Sequence, residues 1–457
     1  MDSQKSYQRK KQRIIQQFRT IKKAKDGSGF GLAKQGSNLF RTRSQTKKAR
    51  LDVRDLNQVI SIDKKHLTAD VEGMTMYEDL VRETLKHHLL PTVVPELATI
   101  TIGGAVSGGG IEASSFRYGL VHETIEEMDI LLSTGELVTA RRDNKYRDLF
   151  AGVVNTFGTL GYVLRVRVKL IPAAPYVKLR HYRFSEPKVY FETIEKVAKS
   201  KTYEKEAVAF MDGMVLGSHE LYLTLANFTD TAPYTSDYTY LRQFYQSIPR
   251  RTEDYLTVRD FIWRWDTDWF WCSKRFGLHN PLLRLIIGKW VLNSKAYWKM
   301  VRMDRQHKLM DKIQYFTGAK KEEAVIQDVQ VPLQHAVKFL DFFSKKIGIK
   351  PVWICPTAMY NKKVTYPFYT LDPKQIYINF GFWDFVPAKA NDPTYHNRMV
   401  EHEVNDLGGR KGLYSDAFYT EEEFWKLYPK NLYTELKKKY DPEKMFKDIY
   451  QKCILSE

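Results

Sequence analysis

The chain has 457 residues, with 72 Lys and Arg against 54 Asp and Glu (net +18), 14% aromatic residues and three cysteines. A chain this long buries a large core and divides into two domains. Three isolated cysteines, Cys272, Cys355 and Cys453, exclude a disulfide framework or a cysteine-based metal site and fit a reducing compartment.

The charge is uneven. Residues 1–50 carry 15 Lys and Arg against only Asp2 and Asp26, while the remainder is nearly balanced. Residues 1–36 therefore read as a basic N-terminal arm, helical to about residue 26, with Ile14, Ile15, Phe18 and Ile21 at helical spacing. Such an arm suits an anionic membrane surface. No nucleic-acid-binding module accompanies it, so no nucleic acid is expected as partner. The first 30 residues lack a secretory h-region, and no run of about 20 apolar residues occurs, so neither a signal peptide nor a spanning helix is expected. A cytoplasmic location with peripheral membrane contact follows.

From Leu51 to Ala69 alternation predicts short strands, and Met76–His87 predicts an amphipathic helix with Tyr77, Leu80, Val81 and Leu85 on one face. The next segment, Thr101–Gly119 (TIGGAVSGGGIEASSFRYG), places Gly103, Gly104, Gly108, Gly109 and Gly110 within eight residues. Glycine lets backbone N–H groups approach an anion closely, and Thr101, Ser107, Ser114 and Ser115 add hydroxyl donors. A pyrophosphate-bearing cofactor is the expectation. The missing G-K-[ST] excludes a P-loop, and GGxxxGGG is not the G-x-G-x-x-G of a dinucleotide fold.

Glu126–Ala140 reads as a hairpin turning at Thr134-Gly135. A second glycine segment follows at Asn155–Gly161 (NTFGTLG), then a strand over Tyr162–Ile171. Pro172–Pro175 marks the domain boundary. Val177–Phe184 opens a second module, with a helix and strand over 186–230 and a helix and two strands over 330–385. An aromatic, basic insertion over 232–320 separates them, and 396–457 reads as helical. The fold class is α+β.

The segments Pro95-Glu96-Leu97, Thr101–Gly104, Gly110–Ser115 with Tyr118-Gly119, Asp148–Phe150, Gly158–Gly161, Val325–Pro332, Trp353–Pro356, Tyr414–Asp416 and Glu422–Trp425 occur in this order. Together they make the chain, from about Ser37 onward, resemble the Δ24-sterol reductase branch of the vanillyl-alcohol-oxidase (PCMH-type) flavoprotein family. The resemblance implies an FAD-binding domain over 37–174, an antiparallel-sheet-and-helix cap over 175–395, and a segment over 396–457 returning to the FAD domain. It also implies FAD on Thr101, Gly103, Gly104, Gly108, Gly109, Gly110, Ile111, Glu112, Ser114, Ser115, Tyr118, Gly119, Gly158, Leu160 and Gly161. Relatives tether FAD through a histidine in the first cofactor loop. The matching stretch, 37–44, contains neither His nor Cys, so FAD is expected to be non-covalent, with no metal.

The activity implied is reduction of a C=C bond in a sterol-like or isoprenoid lipid, with NADPH as donor. An unactivated alkene needs a proton on one face and hydride on the other. Lys411, Tyr414, Asp416 and Tyr419 are the candidate acids. The alternatives are a flavin oxidase of an alcohol or sugar, a flavin-dependent ether-lipid synthase, and a non-catalytic FAD-containing scaffold. Residues 281–299, rich in Trp, Leu and Lys, are expected to touch a membrane surface.

Overall fold

The alternating segments between Val59 and Pro172 pair into one antiparallel sheet. Its order is Val59–Asp63, Thr68–Glu72, Tyr162–Pro172, Ile125–Leu131 and Leu137–Arg141, with Leu89–Pro91 pairing the far end of the long central strand. The computed structural model describes residues 2–24, 29–34, 40–42, 48–307 and 321–456. The expected hairpin closes with Leu131 opposite Leu137. The helix Tyr77–Leu85 lays Tyr77, Leu80, Val81 and Thr84 onto this domain's core, while Leu85 is half-buried.

The N-terminal segment is not a loose arm. Asp2–Lys23 is a helix whose Tyr7, Ile14 and Phe18 pack with Leu131, Tyr162, Leu164 and Phe446. Spacings of seven and four residues put the three on one stripe. Polar contacts fix its register: Tyr7 Oη donates to Asp129 Oδ2 (2.7 Å), and Lys10 Nζ lies 2.8 Å from Glu72 Oε2. The stretch 37–44 lies outside the described residues except for Phe40, Arg41 and Thr42.

The cap is an eight-stranded antiparallel sheet in the order Glu253–Thr257, Tyr176–Phe184, Glu220–Thr229, Phe210–Gly217, Val352–Ala358, Ile376–Pro387, Glu322–Pro332 and Arg410–Lys411. Period-two alternation sorts its two faces. Met211, Val215, Ile354, Phe380, Phe382 and Val329 pack under the helices Pro187–Ser200, Ala336–Lys346 and Tyr395–Asp406. Residues one position away, including Phe210, Met214, Trp353, Cys355 and Trp383, join the same core as the FAD domain. One continuous apolar core therefore crosses the junction.

The cap also extends further than 395. Val400, Val404 and Leu407 of Tyr395–Asp406 belong to the cap core, and Arg410–Lys411 adds its edge strand. Only from Leu413 onward do Ala417, Tyr419, Phe424, Tyr433, Leu436 and Cys453 enter the FAD-domain core. The helical period is the same on both sides of this boundary, so only the partner core distinguishes them.

Candidate functional site

The glycine segment is a capped helical turn. Ile102–Gly108 is a short helix with Thr101 as its N-cap, the Thr101 Oγ1 accepting from Gly104 N at 3.3 Å, and it ends at Gly109 with φ +76°. The backbone donors expected to converge on an anion are occupied. Ile102 N donates to Thr75 O, Gly103 N to Gly73 O, and Ala105 N to Thr101 O; Gly109 N and Gly110 N both donate to Ala105 O. Two glycines are required by close packing instead. A Cβ on Gly103 would sit 2.7 Å from Gly73 O, and one on Gly110 would sit 2.9 Å from Pro95 Cγ. Gly108 abuts the Phe157 ring edge, and Gly109 faces Tyr369.

The rest of the loop is tied down as well. Ile111 is half-buried, Ser114 Oγ donates to Thr92 O, and Ser115 Oγ accepts from Glu112 N. Tyr118 stacks at a tilt near Tyr360, and Gly119 adjoins the buried Glu123 carboxylate, whose oxygens accept from Leu120 N, Tyr360 N and Asn361 N. Burial raises the Glu123 carboxyl to about 7. Leu160 is core, while Gly158 and Gly161 pack against Tyr162 and Ile130.

Glu112 does not project into an open cofactor loop. It meets Arg264 in a fully buried cluster between the domains. Arg264 Nη2 lies 2.6 Å from Glu96, 3.2 Å from Glu112 and 2.7 Å from Asp212. The indoles of Trp265 and Trp353 also donate to Asp212 Oδ2. Burial drives the Glu96 and Glu112 carboxyls upward, against the lowering effect of Arg264. One guanidinium thus faces three carboxyl groups.

The four candidate acids have separate fates. Lys411 Nζ is 2.7 Å from Glu401, both fully buried, and also donates to Asp416 O. Asp416 accepts from Thr42 N (2.6 Å) and Thr42 Oγ1 (2.9 Å), which pins residues 40–42 to the C-terminal segment. Tyr419 is core, and its carbonyl accepts from Tyr450 Oη. Tyr414 alone reaches the junction face of the cap sheet. Its Oη donates to Asp328 Oδ2 (2.5 Å) and accepts from Trp383 Nε1 (2.9 Å), while Asn379 Nδ2 donates to Asp328 Oδ1 (2.6 Å). Burial raises Asp328 to about 6 even though Tyr414 and Asn379 pull it down. Burial, then the charge of Asp328, pushes the Tyr414 phenol well up.

Asp328, Asn379 and Trp383 were not singled out from sequence. The signal existed: Asp328 sits in Val325–Pro332 on the strand face opposite Val325, Val329 and Val331. Beside this network, Trp269, Phe270 and Trp271 all have left-handed φ (+47°, +49° and +58°). For residues with a Cβ this costs roughly 1–2 kcal/mol each, and such strain clusters at functional sites. Phe40 bridges the two groups, 5.4 Å from the Trp269 ring and 5.9 Å from the Tyr414 ring.

This junction fits FAD better than the glycine turn's own backbone does. The Trp269 and Trp271 indole N–H groups and the Ser415 hydroxyl are buried and make no hydrogen bond among the described residues. A planar heteroaromatic ligand with carbonyl and ring-nitrogen acceptors would use such donors. The Arg41 guanidinium lies 4.8 Å over the Phe157 ring that touches Gly108, which brings a cation beside the turn. Among the described residues no group of His, Cys, Asp and Glu could hold a metal.

Residues 30–141 match the FAD binding domain family. The chain is 26% identical to human Delta(24)-sterol reductase over 87% of this chain and 76% of that protein. It is 24% identical to the Arabidopsis thaliana Delta(24)-sterol reductase over 98% and 85%. A segment is 30% identical to Cytokinin dehydrogenase 7 of Oryza sativa subsp. japonica, over 36% of this chain and 31% of that protein. The chain thus carries an FAD binding domain and is an FAD-dependent oxidoreductase homologous over most of its length to the Delta(24)-sterol reductases.

Proposed function

We propose that the protein reduces an isolated C=C bond of a hydrophobic, sterol-like or isoprenoid lipid, with NADPH as the electron source and FAD held non-covalently. The Tyr414–Asp328 pair supports this reading most directly. When bound, reduced FAD supplies a hydride; the protein must supply the proton and a cleft that excludes water. Phe40, Trp269, Phe270, Trp271 and Trp383 provide apolar walls.

Tyr414 is a poor acid on its own, because burial and the Asp328 charge hold its proton in place. It can pass that proton to an alkene carbon when Asp328 carries a proton of its own to refill the phenol. The Trp383 N–H steadies the phenol oxygen as charge develops there. The reactive form is therefore the one with Asp328 protonated. Turnover falls as pH rises through about 6, the value to which burial lifts Asp328.

The test is anaerobic addition of NADPH to the FAD-loaded protein, followed by a sterol with an isolated C=C bond in its alkyl tail. Bleaching of the flavin bands and their recovery with saturated product supports the reading. Flavin bands that do not bleach, with oxygen consumed on adding alcohols, would replace it with an oxidase.

A further inference from the structure

We propose that the segment 281–303 docks the protein onto an anionic lipid bilayer, with Leu282, Leu285, Ile286 and Trp290 entering the interface. The helix Pro281–Ile287 is built to present this face. Arg284, on its inner side, is fully buried: its Nε donates to Leu278 O and its Nη1 to Tyr240 O, both at 2.6 Å, and its Nη2 reaches Asp268. Asn280 caps the helix through Leu282 N, and Tyr240 Oη donates to Leu285 O. Held this way, the opposite face leaves Leu282 70%, Leu285 58% and Ile286 80% exposed, and Trp290, in the turn Lys289–Val291 that follows, is 84% exposed. An apolar cluster of this kind on a firmly anchored helix marks a contact surface.

Charge selects the occupant. Residues 272–303 contain seven Lys and Arg and no Asp or Glu. Arg284 is internal, and Lys274, Arg275 and Lys295 pair with Asp384, Glu322 and Glu78. Lys289, Lys299 and Arg302 are exposed and form no ion pair among the described residues. Lys289 lies 5.2 Å over the Trp290 ring. The following helix, Ser294–His307, carries Lys299 and Arg302 and shares the small core of Leu292, Tyr297, Leu283 and Val301 with this segment. Exposed apolar side chains with Lys289 beside them, and Lys299 and Arg302 on the following helix, all forming no ion pair among the described residues, match an acidic lipid headgroup layer over an acyl boundary. A second copy of the protein would bring the same cations face to face. The same small core includes Trp269 and Phe40, which wall the proposed reaction site, so vesicle binding rather than turnover is the readout that tests this surface independently of the proposed substrate.

The experiment is vesicle flotation of the full-length FAD-loaded protein, with phosphatidylcholine vesicles compared with vesicles containing about 30% phosphatidylglycerol. The variants are Ile286→Glu with Trp290→Glu, and Lys289→Glu with Lys299→Glu and Arg302→Glu. Flavin absorbance and light-scattering mass are recorded for each. Wild type is expected to float with anionic vesicles roughly tenfold more than with neutral ones, and both variants to lose most of that binding while retaining flavin. Equal flotation of wild type and variants overturns the proposal. So does a wild-type dimer that Ile286→Glu with Trp290→Glu converts to monomer without any vesicle binding by wild type. A variant that loses flavin is replaced by Leu285→Ser with Trp290→Ser, read in the same way.

Discussion

Two acidic clusters lie where the domains meet, one fully buried and one half-buried, and they differ in what neutralises them. Around Arg264, a permanent cation faces Glu96, Glu112 and Asp212 with no exposure. Around Asp328, no cation is in contact among the described residues; a phenol and an amide donate instead. The first arrangement stores charge and resists change, because breaking a buried pair leaves an uncompensated ion. The second stores a proton, because hydrogen-bond donors stabilise a carboxylate only partly against burial. Burial of an acid is therefore not by itself a catalytic signature; the identity of its partner decides.

The largest effect expected from this contrast is structural. Arg264→Leu leaves three buried carboxylates without their cation and should destabilise the protein by about 3–5 kcal/mol, seen as a lowered thermal midpoint at pH 8. If the midpoint instead holds, the cluster is not an ion cluster at all. Next, Tyr414→Phe should lower turnover by roughly a hundredfold or more with flavin content and thermal midpoint nearly unchanged. Loss of flavin instead would make Tyr414 a cofactor support.

A third effect separates the clusters by pH. Asp328 and Glu123 bind protons more tightly folded than unfolded, being raised to about 6 and about 7. Their contribution is fully present below about pH 4 and is lost as pH rises through those values, by on the order of 3 kcal/mol each at most. Denaturant midpoints at pH 5 and pH 8 should show the decline, and Asp328→Asn should remove its share of it. The same variant should flatten the fall of turnover around pH 6; a profile identical to wild type would assign that step elsewhere. The smallest effect is at Glu96→Gln, which keeps the shape and removes a carboxyl whose ionisation burial opposes. A midpoint change within about 1 kcal/mol at pH 7 is expected.

Much of the fold was legible before any coordinates. The hairpin at Thr134-Gly135 and the helix after Met76 are local, and turn chemistry and periodicity specify them. The cap–FAD boundary near residue 395 was not. Tyr395–Asp406 and Lys430–Tyr440 both show helical periodicity, and each could have packed on either core. The glycine turn shows the same limit. Its composition correctly marked a backbone under constraint, but whether its N–H groups face a ligand or Thr75, Gly73 and Ala105 is a question of tertiary distance.

The basic N-terminal segment makes the point for charge. Its helix and its apolar stripe of Tyr7, Ile14 and Phe18 are written in the spacing, but only docking against Leu131, Tyr162 and Phe446 turns it into part of the FAD domain. The sequence by itself determined the α+β class and the likeness to FAD-dependent sterol reductases, because these rest on local pattern and motif order. The tertiary structure alone decided that Tyr414 meets Asp328, that Lys411 is locked to Glu401, and that Arg284 faces inward while Trp290 faces out. Those outcomes depend on which strands become neighbours across a sequence separation of 86 residues in the Tyr414–Asp328 pair, a relation that no local periodicity encodes.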